Sequence, residues 1–375
     1  MDIDFKVSAR STLGVEWELM IVDRASGALV SAASEVLGEL AADGEHPTLK
    51  HELLECTVEV ITGICETVAE AEQDLAASIA LLRERLEPRG LALMCAGTHP
   101  ISHYSDQQVS PDPRYAALIE DVQWLGRRLQ IFGVHVHVGV RHKDKVMPIV
   151  NAVAGYLPHL LALSSSSPYR HGKDTGLAST RTKIFESLPT AGLPYLLPDW
   201  EAFESYMGTL IRTEAIHSIK DVWWDIRPHP DFGTVELRMC DGLATTYEVG
   251  AVAAVAQCLV DYSDRQIDQG YTLPVPRDWV LKENKWRAAR YGLDAVLIRE
   301  DESQVPVREA LLELARDLAP AADRLGCAEE LARVAVLVEG GSSAERQRRT
   351  AAAHGGDVTA VVASLVEEFE RGRPL

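Results

Sequence analysis

The sequence predicts an α+β fold: a half-buried sheet with helices packed against it, followed by an all-helical C-terminal region. Three observations carry this. Three separated stretches alternate apolar and polar residues with period two. The segments between them carry apolar stripes at helical spacing. After Pro274 and Pro276 only the helical spacing persists. The chain therefore divides into residues 1–275, which hold the sheet and the candidate chemistry, and a helical region, 276–375, packed on them.

Each of the three strands presents paired chemistry on its polar face. In Gly14–Val22, Val15, Trp17, Leu19 and Ile21 share one face and Glu16 and Glu18 the other. In Phe132–Val140, Phe132, Val134, Val136, Val138 and Val140 back His135 and His137. In Trp224–Asp241, Val235, Leu237 and Met239 back Thr234, Glu236 and Arg238. One such pair alone is most simply a solvated sheet face. Three strands offering carboxylates, imidazoles and an arginine describe a working surface instead. Carboxylates and a His suit hard divalent cations, and Arg suits phosphate or carboxylate.

Composition narrows the class. The 375 residues, 46% of them hydrophobic, sustain one large domain or two ordinary ones. Lys and Arg number 37 against 56 Asp and Glu, a net charge of −19, which argues against a nucleic-acid-binding surface. Six cysteines, at 56, 65, 95, 240, 258 and 327, form no CxxC pair and read as buried thiols of a reducing compartment. The N-terminal MDIDFKVSAR has no apolar signal core, and Val249–Tyr262 is interrupted by Gln257 and Asp261 before it reaches spanning length. A cytoplasmic protein without membrane or nucleic-acid partners is expected.

In chain order, a turn over 23–27 follows the first strand, then a short helix over 34–42 and a loop over 43–47. Glu52–Thr62 (ELLECTVEVIT) is rich in β-branched residues and reads as a strand from about Cys56. Glu55 and Glu59, four apart, share a face in a strand or a helix. Glu59 lies inside an apolar run, where an unpaired carboxylate is costly. A short strand is expected over 91–96, and His99, before Pro100, as a structural residue of a turn. Helices are expected over 67–88, 113–130, 143–163, 199–212 and 247–269. In the tail they are expected over 279–291, 305–318, 327–339, 342–353 and 357–371, with turns at Gly292, Pro320 and Gly355–Gly356. The long polar segment 164–197 concentrates Arg170, His171, Lys173, Arg181 and Lys183 and reads as a mobile, anion-facing lid.

Together, Glu16-x-Glu18, ELLECTVEVIT, GVHVHVG, STRTKIFESLPTAGLP, WDIRPHPDFGTVELRMCD and ENKWRAARYGLDA resemble the YbdK-type carboxylate–amine ligases, the second type of glutamate–cysteine ligase family, over essentially the whole chain. The resemblance implies a glutamine-synthetase-like fold, in which a curved antiparallel sheet forms a funnel-like active site with helices on its outer side. It implies an enzyme using ATP and Mg2+ to phosphorylate a carboxylate, glutamate by the family's example, and to pass the acyl group to an amine such as cysteine, in a weak ligation. From the fold it implies a homodimer or higher homo-oligomer. By position it implies that Glu16, Glu18, Glu55, Glu59, Glu236 and His137 hold Mg2+, His137 lying on the nucleotide side. Arg238 would stabilise the transferring phosphoryl group beside Glu236, Arg227 would grip the substrate carboxylate, and Arg181 would contact substrate or phosphate. Lys173 is assigned to the nucleotide, while Asn284, Lys285, Trp286 and Arg287 are recognisable without a derived role.

Two rivals stand beside this reading. A metal-dependent amidohydrolase also begins its metal site with His-x-His on a strand. It needs a repeating strand–helix pattern and later ligands, and the late His residues here are only 217, 229 and 354. A non-catalytic nucleotide- or amino-acid-binding member of the fold would keep the site without consuming ATP. Cys56 and Cys240, next to the proposed site, read as buried thiols, which leaves no evident nucleophile.

Overall fold

The computed structural model describes residues 2–41 and 46–375; the loop expected over 43–47 lies largely outside them. Strands β1 (Leu13–Asp23), β2 (Leu49–His51), β3 (Thr57–Ile61), β4 (Leu91–Met94) and β5 (Gly133–Gly139) belong to one sheet. A separate hairpin follows, of β6 (Tyr169–Arg170) and β7 (Lys173–Asp174). Strands β8 (Ile226–His229) and β9 (Thr234–Asp241) complete the main sheet, whose order is β2-β3-β1-β5-β9-β8, with β4 also on β1. Every pairing in it is antiparallel.

Period two does what the pattern predicts. Val15, Trp17, Leu19 and Ile21 of β1, Val134, Val136 and Val138 of β5, and Val235, Leu237 and Met239 of β9 all enter one buried core. Helices cover that face: α2 (Val68–Leu86), α5 (Lys143–Ala154), α6 (Leu157–Ser164) and the long α9 (Thr246–Asp268). The remaining helices of residues 2–275 are α1 (Ala33–Leu40), α3 (Pro113–Val122), α4 (Trp124–Arg127), α7 (Thr180–Phe185) and α8 (Trp200–Arg212). The ends are chemically set. Thr67 and Glu70 form a reciprocal capping box at the start of α2, and Gly90, at φ 69°, stops the short turn that follows its end.

Three helical expectations are corrected. The 113–130 helix breaks at Gln123, whose φ is 51°. The turn re-aims the chain so that Leu129 and Ile131 line the same cavity as Leu118 and Val122 of α3. The 143–163 helix is two helices bent by 59° at Gly155–Tyr156, with Pro158 in the first turn of α6. No single helix among the described residues is long and apolar enough to cross a membrane. The third correction concerns Pro320, which does not end a helix; it lies inside α11 (Val307–Leu325), after α10 (Asp278–Tyr291). Pro320 sits on an exposed face, where the carbonyl deprived of its amide is on the solvent side.

The tail continues with α12 (Ala328–Gly340), α13 (Ser343–Ala353) and α14 (Val358–Arg371). It is not wholly helical. A small hairpin, β10 (Val296–Ile298) and β11 (Gln304–Pro306), follows α10, and Asn284 satisfies both the amide and the carbonyl of Ile298 at 2.8 Å. Leu311, Leu318, Val334 and Leu337 share the main core with the sheet and α9. Buried Arg346 on α13 ties Glu248 on α9 (2.7 Å) to Glu368 on α14 (2.8 Å).

Candidate active site

The sheet register assembles the polar face. Across β1 and β5, Glu16 stands opposite His135; across β1 and β3, Glu18 stands opposite Glu59. His137 on β5 and Arg227 on β8 both stand opposite Glu236 on β9. Cross-strand neighbours on one face lie within side-chain reach, so five strands contribute to one patch. A bulge between β5 and β9, at Val134/Val136, falls beside Arg238, the kind of irregularity that re-aims a side chain.

Three overlapping groups result, in each of which one potential ligand atom per residue lies within 4.8 Å of the others: Glu16, His137 and Glu236; Glu16, Glu59 and His135; Glu18, Glu52 and Glu59. His135 Nδ1 is 2.9 Å from Glu16 Oε2, and His137 Nε2 is 3.2 Å from Glu16 Oε1. Despite that proximity His137 Nε2 makes no hydrogen bond, while its Nδ1 meets Thr234 Oγ1 at 3.1 Å. This is the arrangement of an imidazole oriented by one nitrogen with the other free for a cation.

Glu236 is the electrostatic centre. It is 1% exposed and receives Arg227 Nε at 2.7 Å and Arg238 Nη1. Burial favours its neutral form, but Arg227 and Arg238 overcome this and hold the carboxyl well below its ordinary value. Glu16 is likewise held low, burial being outweighed by His137 and by the hydrogen bond from His135. The opposite holds at the third group. Burial, then the charge of Glu18, pushes Glu52 up to about 7. Burial, then Glu16, pushes Glu59 well above the carboxylate range. Crowded, half-buried carboxylates of this kind are relieved by a divalent cation with oxygen ligands. The donor set, carboxylate oxygens plus one free imidazole nitrogen, fits Mg2+.

Several expectations resolve differently. Glu55 is not in the cluster: its Oε1 accepts from Ser34 Oγ at 2.6 Å, beside the start of α1. Since β3 begins only at Thr57, the four-residue spacing from Glu59 does not keep the two on one face. Glu52 takes the place instead. The signal was present in ELLECTVEVIT, but nothing in the spacing says that the chain turns between Glu52 and β3. Lys173 is exposed on the β6–β7 hairpin and lines neither cavity described below. His135, left without a role by its motif, joins Glu16.

The 164–197 segment is not an open lid. Ser164 to Ser167 and Ser179 to Thr182 are buried. Asp241 Oδ2 accepts from the Ser166 amide at 3.0 Å and from Ser167 Oγ at 2.6 Å, and Oδ1 accepts from Ser179 Oγ at 2.7 Å. A buried carboxylate with three donors fixes the segment to β9. Arg181 is thereby held under the sheet end, donating to the carbonyls of Met239 and Arg238 at 3.2 Å. It passes so close to Gly133 that a Cβ there would lie 2.2 Å from its Nη2, so position 133 admits only glycine without moving that guanidinium. Arg227 spends Nη1 on the carbonyls of Val222 (2.8 Å) and Lys220 (3.1 Å) and Nε on Glu236.

Lys285 supplies a further support. Buried on α10, it pairs with Glu186, just after α7, and with Asp225, just before β8. The Asp225 carbonyl accepts the Arg238 amide at 2.8 Å. One ammonium therefore ties the helix carrying Arg181 to the strand carrying Arg227. Lys285→Met leaves buried Asp225 without its cation, while Glu186 keeps Lys183 at 2.7 Å, and is expected to cost about 3–5 kcal/mol in denaturant unfolding. A loss below about 1 kcal/mol would show that the pair is dispensable.

The cluster floors a cleft with two lobes. The larger, about 810 Å³, is reached by Glu18, Glu52, His135, Arg181 and Arg238, and its walls mix leucines with polar and charged side chains such as Arg114, Asp121, Glu214 and Asp221. The smaller, about 520 Å³, is lined by Glu16, Glu59, Glu236, Arg227, Lys220 and the rings of His229 and Phe232, among others. Glu52, Arg114, Tyr115, Lys220, Trp223 and Arg238 border both. His229 and Phe232 are stacked, centroids 4.2 Å apart and 11° between planes.

The family model for glutamate-cysteine ligase family 2 (GCS2) matches residues 12–364, which include all five strands of the patch and every residue of the cluster. The chain belongs to glutamate–cysteine ligase family 2. A Frankia alni protein named "Putative glutamate--cysteine ligase 2-1" is 57% identical over 100% of this chain and 99% of its own length. A Thermobifida fusca protein, "Putative glutamate--cysteine ligase 2", is 55% identical over 100% and 94%. Among solved structures, the glutamate–cysteine ligase of Francisella tularensis in complex with AMP superposes with a TM-score of 0.71 at 13% identity, covering 98% of this chain and 90% of that one. A bifunctional glutathione synthetase from Pasteurella multocida gives 0.69 at 14% identity, over 96% and 52%. The fold is that of the glutamine-synthetase-like ligases. As a member of this family the chain is an ATP-dependent carboxylate–amine ligase, and nothing found supports a hydrolase.

Proposed function

We propose that the chain activates a carboxylate, glutamate in the first instance, as an acyl phosphate and joins it to an amine, with Glu16, Glu18, Glu52, Glu59, Glu236 and His137 holding Mg2+. The observation that carries this is the juxtaposition of three carboxylate-rich groups with Arg238 at the junction of two lobes. Bound Mg2+ supplies screening of the phosphate charge. Phosphates placed over Glu16, His137 and Glu236 put a nucleotide in the smaller lobe, whose His229–Phe232 stack offers a flat surface to a purine.

The residues then divide the work. Arg238 meets the negative charge that grows on the equatorial oxygens of the transferring phosphoryl group. Arg227 and Arg238 keep Glu236 ionised and fixed. A carboxylate oxygen attacks the γ-phosphorus, the bridging P–O bond breaks, and ADP leaves with the electron pair. No residue needs to be modified on the way, and burial pushes the neighbouring thiols of Cys56 and Cys240 up to about 12. Positioning and fixed charge supply the catalysis.

The test is ADP release by the purified chain with ATP and Mg2+ across a panel of amino-acid carboxylates, with hydroxylamine present to trap acyl phosphate. Hydroxamate formed with one acid is the expected result. ATP binding without ADP or hydroxamate for any acid would favour a non-catalytic member of the fold.

A further inference from the structure

Four arginines line the two lobes of the cleft: Arg114, Arg181, Arg227 and Arg238. The protein itself engages three of them. Arg181 donates to the carbonyls of Met239 and Arg238, Arg227 to Glu236 and two carbonyls, and Arg238 to Glu236. Arg114 is different. It is exposed and borders both lobes. Among the described residues its guanidinium makes no hydrogen bond or ion pair, and meets only the ring of the adjacent Tyr115, 5.8 Å from Cζ.

The fold fixes this arginine over the cleft without a local return. Asp112 caps α3 by accepting the Arg114 amide at 2.7 Å, and Pro113 opens the helix. Tyr115 lines both lobes, and its hydroxyl donates to the His51 carbonyl at 3.1 Å, which holds the start of α3 against β2. Arg114 therefore stands in the first turn of α3, which contains no acidic residue. The N-terminal end of a helix carries partial positive charge, so an unpaired cation there does not stabilise it. The charge of Arg114 reaches the cluster instead. Burial and then Glu18 push the Glu52 carboxyl up, and Arg114 and Arg238 pull against them. Both arginines thus act on the end shared by the two lobes.

We propose that Arg114 is a substrate-binding residue that clamps a second oxyanion at the junction of the lobes. Its ligand is the carboxylate of the acid that is not phosphorylated, or a phosphate of the nucleotide that is not transferred. Both suit a forked guanidinium. The inference rests on the ligase reading above and adds a contact to it. In that reading the reacting carboxylate and phosphoryl group lie at Arg238 and the metal-binding groups. An oxyanion a short chain away from that centre arrives at the border that Arg114 occupies. If the ligand is the carboxylate, the clamp separates a dicarboxylic acid from its monocarboxylic analogue, which leaves the guanidinium unpaired.

The experiment uses the full chain with ATP, Mg2+ and the acid that yields hydroxamate, glutamate in the first instance. It compares the unaltered protein with Arg114→Ala and Arg114→Lys, read as ADP and as hydroxamate. The position is exposed, so both variants are expected to keep the unfolding midpoint. Arg114→Ala is expected to raise the KM of one co-substrate at least ten-fold and to leave kcat and the other KM within about three-fold. Arg114→Lys is expected to recover part of the loss. A raised KM for glutamate, with hydroxamate from 4-aminobutyrate (which lacks the second carboxylate) unaffected, assigns the carboxylate. A raised KM for ATP, with that for the acid unaffected, assigns the phosphate. Unchanged KM values in Arg114→Ala overturn the inference and leave the ligase reading standing. So does an effect on kcat or on the Mg2+ requirement alone, which would make Arg114 a partner of Glu52. Absence of hydroxamate with every acid overturns both readings.

Discussion

Arg238→Ala is expected to lower ATP turnover by at least ~10³-fold, the scale of an arginine that meets phosphoryl charge. Its side chain is 15% exposed, at the mouth of both lobes, so its loss leaves the core of the sheet untouched. Glu236→Gln should be as severe for a different reason. The amide keeps the shape but removes the negative charge between Arg227 and Arg238, and with it a carboxylate of the metal-binding group. Both variants are checked by ADP release, with circular dichroism to confirm that the sheet is intact. Turnover within ten-fold of the unaltered chain in both would remove this patch as the reacting centre.

Glu52 and Glu55 provide the second large contrast, because they are three residues apart and only one faces the cluster. Glu52→Gln is expected to reduce ADP release about 10²-fold and to raise the Mg2+ concentration needed for half-maximal rate. Glu55→Gln should leave both within about three-fold and lower stability by about 1 kcal/mol through the lost hydrogen bond from Ser34. A Mg2+ titration of the two variants in parallel decides the matter. Equal effects on rate would mean that the carboxylate of Glu55 reaches the cation.

The same pair shows what a sequence can and cannot reveal about such a site. Residues inside regular strands were legible, because a strand's period is fixed by covalent geometry. Glu16, Glu18, His137, Glu236 and Arg238 could therefore be assigned to one face of their strands before any fold was known. Glu52 could not, since it precedes β3 and its direction depends on the turn at 53–56. Lys173 lies outside the lining of the cleft for a related reason. A basic residue in a polar segment looks available to an anion, but the β6–β7 hairpin carries it away from the cleft.

The 164–197 segment failed by another route. Its serines and glycines read as solvated and mobile, whereas Asp241, from the far end of β9, recruits Ser166, Ser167 and Ser179 into a buried network. Lys285 likewise carried no signal beyond its place in a recognisable motif, because its partners lie 60 and 99 positions away in the chain. The sequence by itself determined the α+β class, the period-two strands, the buried thiols and, through its motifs, the family. Each of these is local, or is a pattern of residue types. Tertiary structure alone decided which carboxylates converge, which backbone carbonyls Arg181 and Arg227 bind, and that a two-lobed cleft opens over the cluster. Those depend on strand register and on the direction of turns, and neither is encoded by the spacing of residues within a single element.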